Sequence, residues 1–202
     1  MTEESTAVAL NEPRDGLPAV IETTDALERA SAAIASGHGP IAVDAERASG
    51  YRYSSRAYLV QVRREGAGTF LIDPTTVDDV SSLAQAINPV EWILHASTQD
   101  IGCLVELGLK PTSLFDTELA GRLLGRARVG LGALLESDLN VLLAKEHSAA
   151  DWSTRPLPEP WLLYAALDVE LLVELRAHLR EELIARDRLE WAEQEFAYLT
   201  TW

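Results

Sequence analysis

One cysteine, Cys103, stands among 202 residues, so no internal disulfide can form and a thiolate-based zinc site lacks its second ligand. That scarcity fits a reducing, cytoplasmic setting. Basic residues are few as well: 17 Lys and Arg against 32 Asp and Glu, a formal net charge of -15. A protein that grips nucleic acid through its phosphates normally carries the opposite sign. The bulk charge therefore argues against nucleic acid, unless bound cations reverse the field where a phosphate would sit. No apolar run approaches a membrane span. Met1 to Gly16 is acidic and polar, without the apolar core of a signal peptide, and reads as a mobile leader over residues 1–16. Residues 17–202 suffice for one well-cored domain, because 47% of the chain is hydrophobic and its length is short for two.

Hydrophobic periodicity orders the elements. Ala19 to Ile21 reads as a strand, Asp25 to Ser36 as a helix with Thr23 or Thr24 as its cap, and Ile41 to Val43 as a buried strand. Tyr58 to Val62 and Thr69 to Ile72, joined at Gly66 to Gly68, read as a hairpin that continues this strand into an antiparallel meander. Val77 to Ile87 reads as a helix and Trp92 to Leu94 as a further strand. Helices are then expected over Ser97 to Leu107, Leu114 to Leu124, Gly130 to Leu139 and a long stretch from about Pro160 to Arg186. Strands first, then alternation, then helices imply an α/β fold, a mixed sheet with helices on both faces.

The candidate site begins at Asp44 and Glu46. Their i, i+2 spacing at a strand end places both carboxylates on one face, where they repel, and a divalent metal is the obvious compensation. The alternative is a strand that ends in solvated charge. Asp168 falls inside the apolar stripe of Trp161, Tyr164, Ala165, Leu172, Leu175 and Leu179, so it faces inward and needs a donor or a cation. Tyr164 or a backbone amide could satisfy it equally well. Asp100, a further candidate, lies three residues after Ser97, and Ser-x-x-Asp is also a capping box at a helix start. Asp116 repeats the pattern after Ser113 and reads as mainly structural.

Together these residues resemble the DEDD superfamily of 3'-5' exonucleases, in the ribonuclease D branch that carries a tyrosine in its last motif. The resemblance runs through Asp44-Ala45-Glu46, His95-x4-Asp100, Leu114-Phe115-Asp116-Thr117 and Tyr164-x3-Asp168. A fifth stretch, Lys145-x2-Ser148-x2-Asp151-Trp152-x2-Arg155-Pro156-Leu157, is similar to the segment before the family's final helix. Ala45 departs from the usual Thr. Ribonuclease D proteins also continue into helical HRDC domains, so the resemblance covers a catalytic domain without them.

The resemblance implies a ribonuclease H-like 3'-5' exonuclease fold and two-metal phosphodiester hydrolysis that trims RNA 3' ends, tRNA or other stable RNA precursors among them, to nucleoside 5'-monophosphates. Asp44, Glu46, Asp100 and Asp168 would hold two divalent cations, Mg2+ or Mn2+, and Tyr164 would orient the attacking water and assist its deprotonation. Lys145 and Arg155 are candidates for phosphate contacts, with salt-bridged roles as the alternative. Gln61 is a candidate for the scissile nucleotide, and His95 for substrate contact or for fixing backbone. DNA in place of RNA, or a catalytically silent binding module, are the competing readings. A monomer is expected, with no membrane and no disulfide partner.

Overall fold

The computed structural model describes residues 7–48, 51, 53, 55–143 and 150–201. In chain order the elements are β1 (Val8–Leu10), β2 (Val20–Ile21), α1 (Thr24–Ser36), β3 (His38–Arg47), β4 (Ala57–Glu65), β5 (Gly68–Ile72), α2 (Ser81–Ile87) and β6 (Glu91–Leu94). A 3-10 turn (Ser97–Gln99) leads to α3 (Ile101–Glu106), β7 (Ser113–Asp116), α4 (Thr117–Leu123), α5 (Leu131–Leu139), β8 (Val141–Leu143), α6 (Glu159–Glu170), α7 (Leu172–Ala185) and α8 (Leu189–Tyr198).

Six strands form one mixed sheet in the order β2-β5-β4-β3-β6-β7. β3, β4 and β5 are the expected antiparallel meander, and β6, β7 and β2 add in parallel. Period-2 alternation divides the core into two layers. Val43, Ala45, Val60 and Val62 join Leu27 and Ile34 of α1 in the larger apolar cluster, whereas Leu59 and Leu71 pack with Trp152, Ala165 and Ala166 beneath α6. Asp44 sits opposite Gln61 and Glu46 opposite Leu59, so both carboxylates face α6.

Several elements differ from the reading of periodicity. Leu114 to Asp116 belongs to strand β7 rather than to a helix, and the helix starts only at Thr117, where the Asp116 side chain accepts from the Leu119 amide at 3.0 Å. A short, fully buried apolar run such as Leu114-Phe115 suits either element, and pairing with β6 decided it. The single helix expected from Pro160 to Arg186 is two, broken at Leu171. Val169, Glu170, Leu171 and Leu172 are all buried, and four successive buried positions cannot share one face of a straight helix. The Val77 to Ile87 helix begins late, at Ser81, whose amide and hydroxyl are both drawn to Asp79. The Ser97 to Leu107 helix is interrupted at Asp100, between the 3-10 turn and α3.

Inside the stretch expected to be a mobile leader, residues 7–16 carry defined structure. β1 pairs in parallel with β8, Pro13 is buried, and the Arg14 amide donates to Glu170 at 3.3 Å. The partners lie more than a hundred residues away, and nothing local announces them. Glu170 is fully buried at the end of α6, 3.3 Å from the Arg63 guanidinium on β4, and desolvation raises its pKa despite that cation. Removing one partner of a buried ion pair leaves the other uncompensated. Arg63→Met is expected to cost about 3 kcal/mol at pH 8. The loss should shrink as pH falls toward 5 and Glu170, its pKa raised, begins to take up a proton and needs the guanidinium less. Urea unfolding at both pH values checks this, and a pH-independent loss would assign the effect to packing alone.

Candidate active site

Three elements bring the acidic residues together. β3 presents Asp44 and Glu46, α6 presents Tyr164 and Asp168 one turn apart, and the junction between the 3-10 turn and α3 presents Asp100. All five line one open cavity of about 710 Å³, with His95 and Arg47 on its wall. Asp44, Glu46 and Asp168 each place a carboxylate oxygen within 4.8 Å of the other two. Asp100 bonds to Asp44, and its Oδ1 lies 3.4 Å from Arg47 Nε. Asp100 makes no cap hydrogen bond, and Ser97 Oγ donates to Asp116 instead. The capping-box alternative for Asp100 therefore fails.

The electrostatics follow from that crowding. Burial pushes Asp44 up to about 6 and Asp100 up to about 8, the latter helped by the Asp44 charge. Glu46 is raised well above the usual carboxylate range by burial and then by Asp44, Asp168 and Asp100. Tyr164 is raised by burial and by Asp168, to which its hydroxyl is hydrogen-bonded. Hard oxygen donors, mutually repelling and partly protonated in the absence of a cation, fit a divalent metal of the Mg2+ or Mn2+ type.

The remaining sequence candidates divide. His95 lines the cavity, with Nδ1 2.9 Å from the Thr117 hydroxyl and its pKa lowered by burial. Gln61 does not reach the cavity: it is 0% exposed, and its Nε2 donates to Glu46 Oε1 at 3.2 Å. It orients a carboxylate rather than a nucleotide. Arg155 is likewise committed elsewhere, donating to Asp73 at 2.6 Å and to the carbonyls of Tyr58, Trp152 and Thr154. A guanidinium so placed ties the loop before α6 to β4 and commits four of its five N–H donors there. Lys145 lies outside the described residues.

Two residues had roles that spacing did not disclose. Asp116 receives the Ala96 and Ser97 amides and the Ser97 hydroxyl, at 3.3, 2.8 and 2.7 Å. It thereby holds Ala96 in the left-handed region, at φ 55°, and aims the turn that carries Asp100. Such a conformation costs on the order of 1–2 kcal/mol without glycine and persists only where its surroundings enforce it. Arg47 is the second. Strict alternation sends it to the face opposite Glu46, but the β3–β4 register shifts between Glu46 and Arg47, and Arg47 lines the cavity. The signal in the sequence was a cation directly after the carboxylate pair.

A pH dependence follows. Carboxylates with raised pKa bind more protons in the folded state, so their contribution to stability is full below about pH 4 and is lost as pH rises through 6 to 8. In a chelator, Asp100→Asn should match the wild type near pH 5 and melt higher at pH 8. Mn2+ at about 100 times Kd should add roughly 2.7 kcal/mol to the wild type at pH 8, and less at pH 5, where protons compete. Equal melting temperatures for wild type and Asp100→Asn at pH 8 would contradict the repulsion.

Comparison with known proteins agrees with this geometry. A family model described as 3'-5' exonuclease matches residues 18–184. Ribonuclease D of Jannaschia sp. (strain CCS1) is 36% identical over 193 residues, 91% of this chain and 50% of the relative. A crystal structure of a protein from Bifidobacterium adolescentis superposes with a TM-score of 0.93 at 50% identity, over 95% of this chain and 47% of that one. Escherichia coli RNase D gives a TM-score of 0.79 at 32% identity, over 88% and 48%. The chain thus spans about half the length of these relatives. The expected exonuclease fold is borne out. With an ordered carboxylate set on β3, α3 and α6, and a family match across most of its length, the chain belongs to the 3'-5' exonuclease family.

Proposed function

We propose that the chain hydrolyses RNA from the 3' end and releases nucleoside 5'-monophosphates, with two divalent cations as cofactors. The observation that carries this reading is the convergence of Asp44, Glu46 and Asp168 within 4.8 Å, in an open cavity shared with Asp100 and Tyr164. RNA is favoured as substrate by the relatives named ribonuclease D, and trimming of stable RNA precursors such as tRNA is the corresponding task. Among the described residues no helix is long and apolar enough to cross a membrane.

Asp44, Glu46 and Asp168 would hold one cation, and Asp44 with Asp100 the other. When bound, the pair supplies Lewis-acid stabilisation of the attacking and leaving oxygens of an in-line displacement. The protein's own part is positioning. Gln61 fixes one oxygen of Glu46. Asp116 fixes the turn before Asp100. α6 carries Tyr164 and Asp168 as a rigid pair, one helical turn apart and hydrogen-bonded to each other. In the metal-free protein, burial and carboxylate charge favour the neutral phenol, and Tyr164 would act by orienting the attacking water and assisting its deprotonation.

With end-labelled single-stranded oligonucleotides, a 3'-hydroxyl RNA is expected to be shortened stepwise in Mn2+. A 3'-phosphorylated RNA should resist, and excess EDTA should abolish turnover. Equal degradation of both ends, or full activity in EDTA, would overturn the reading, and faster loss of DNA would change the substrate.

Tyr164→Phe keeps the ring that lies 6.4 Å from Trp152 and removes only the hydroxyl. Loss of a positioned proton-transfer group typically costs about 10^2 to 10^4 in rate. Tyr164→Phe should therefore lose at least about 10^2 in turnover with near-normal Mn2+ binding by calorimetry, whereas Asp168→Ala should lose both. Near wild-type turnover in Tyr164→Phe would reduce the tyrosine to a packing contact.

A further inference from the structure

Arg47 has the geometry of a cation placed for more than charge balance. Its Nε is buried and makes no hydrogen bond among the described residues, although Asp100 Oδ1 is only 3.4 Å away, and the side chain is 26% exposed on the cavity wall. A guanidinium forms strong, planar, bidentate contacts with carboxylates and phosphates. Here it makes one imperfect contact and leaves a desolvated donor unused. Leaving a buried donor unmade is costly, and the register shift that turns Arg47 into the cavity preserves that arrangement.

The partner of Arg47 matters as much. Asp44, Glu46 and Asp168 converge on one point without help, whereas Asp100 is held by Asp44 and Arg47. One cation position is therefore formed in advance, and the carboxyl group needed for the other is already engaged by Asp44 and by a tethered cation. Phosphate entry poses the complementary difficulty, because the chain carries a net charge of -15. Of the described residues on the cavity wall, Arg47 is the permanently charged cation, since burial favours the neutral form of His95.

We propose that Arg47 is an exchangeable cation, which rests against Asp100 in the metal-free protein and passes to a phosphate oxygen of the 3'-terminal nucleotide when a second divalent ion takes that carboxyl group. The exchange keeps every charged group partnered: the guanidinium leaves Asp100 for one phosphodiester, the ion takes its place, and any proton held between Asp44 and Asp100 leaves to solvent. It also orders events, since the second ion and the substrate each favour the rearrangement that the other needs. The proposal rests on the exonuclease reading.

The test compares wild type, Arg47→Met and Arg47→Lys, each first shown to melt as a folded protein. Substrate-free protein is titrated with Mn2+, followed by calorimetry and by electron paramagnetic resonance of the free ion. Steady-state kinetics then use a single-stranded oligoribonucleotide at saturating Mn2+. Arg47→Met is expected to bind the second Mn2+ about tenfold more tightly, having lost the competitor for Asp100, and to raise KM by at least about tenfold with a smaller change in kcat. Arg47→Lys, which keeps the charge, should recover a large part of KM. An unchanged second Mn2+ affinity in Arg47→Met overturns the competition. A tighter second ion with unchanged KM overturns the transfer to phosphate and leaves Arg47 as a brace for Asp100. Wild-type protein that binds Mn2+ and cleaves no oligonucleotide overturns the exonuclease reading, and the phosphate contact with it, whatever the variants bind.

Discussion

Carboxylates buried side by side on one face of β3 and α6 set the terms for the rest of this molecule. Like charges a few ångströms apart, cut off from water, either share protons or recruit a cation. Here Asp44 and Asp100 are hydrogen-bonded to each other with both pKa values raised, and Glu46 is raised further by the three acids around it. A fold that spends stability in this way has to recover it elsewhere. It does so through a two-layer apolar core, in which α1 covers one face of the sheet and α6 with Trp152 covers the other.

That core also supplies precision. Three acidic groups are held by neighbours that do not line the cavity: Glu46 by the buried Gln61, the Asp100 turn by Asp116, and the end of the Asp168 helix by the Glu170–Arg63 pair. These contacts bind no substrate. They restrict rotamers, so an arriving ion meets oxygens already converged and little ordering remains to be done. The short β1–β8 pair and Arg14 extend the restraint to the beginning of the described chain.

Acidity and nucleic-acid chemistry are reconciled locally. A negative chain is a poor non-specific binder of phosphates. Within the cavity, however, the field that matters would be the sum of four carboxylates, Arg47 and the cations proposed to bind there, which is far less negative than the whole protein. Bulk charge therefore bears on affinity for long nucleic acid and says little about chemistry at the site.

Periodicity was enough to reach the meander, the central strand and three of the four acids, because Asp44 with Glu46, and Asp168 with Tyr164, sit at spacings that strand and helix geometry translate directly into shared faces; Asp100 came from motif order alone. Local pattern could not decide the rest. Whether Leu114-Phe115 is strand or helix depended on a vacancy beside β6, and the break at Leu171 depended on burial from several sides at once. Gln61 and Arg155 turned from substrate candidates into braces because their partners, Glu46 and Asp73, lie far away in the sequence. Arg47 entered the cavity only through a slip in the β3–β4 register. The sequence alone determined which chemical groups the protein owns and which local faces they share. Only the tertiary structure decided which of them meet, because pairing across strands and packing of α6 on the sheet are long-range choices that no single window of residues contains.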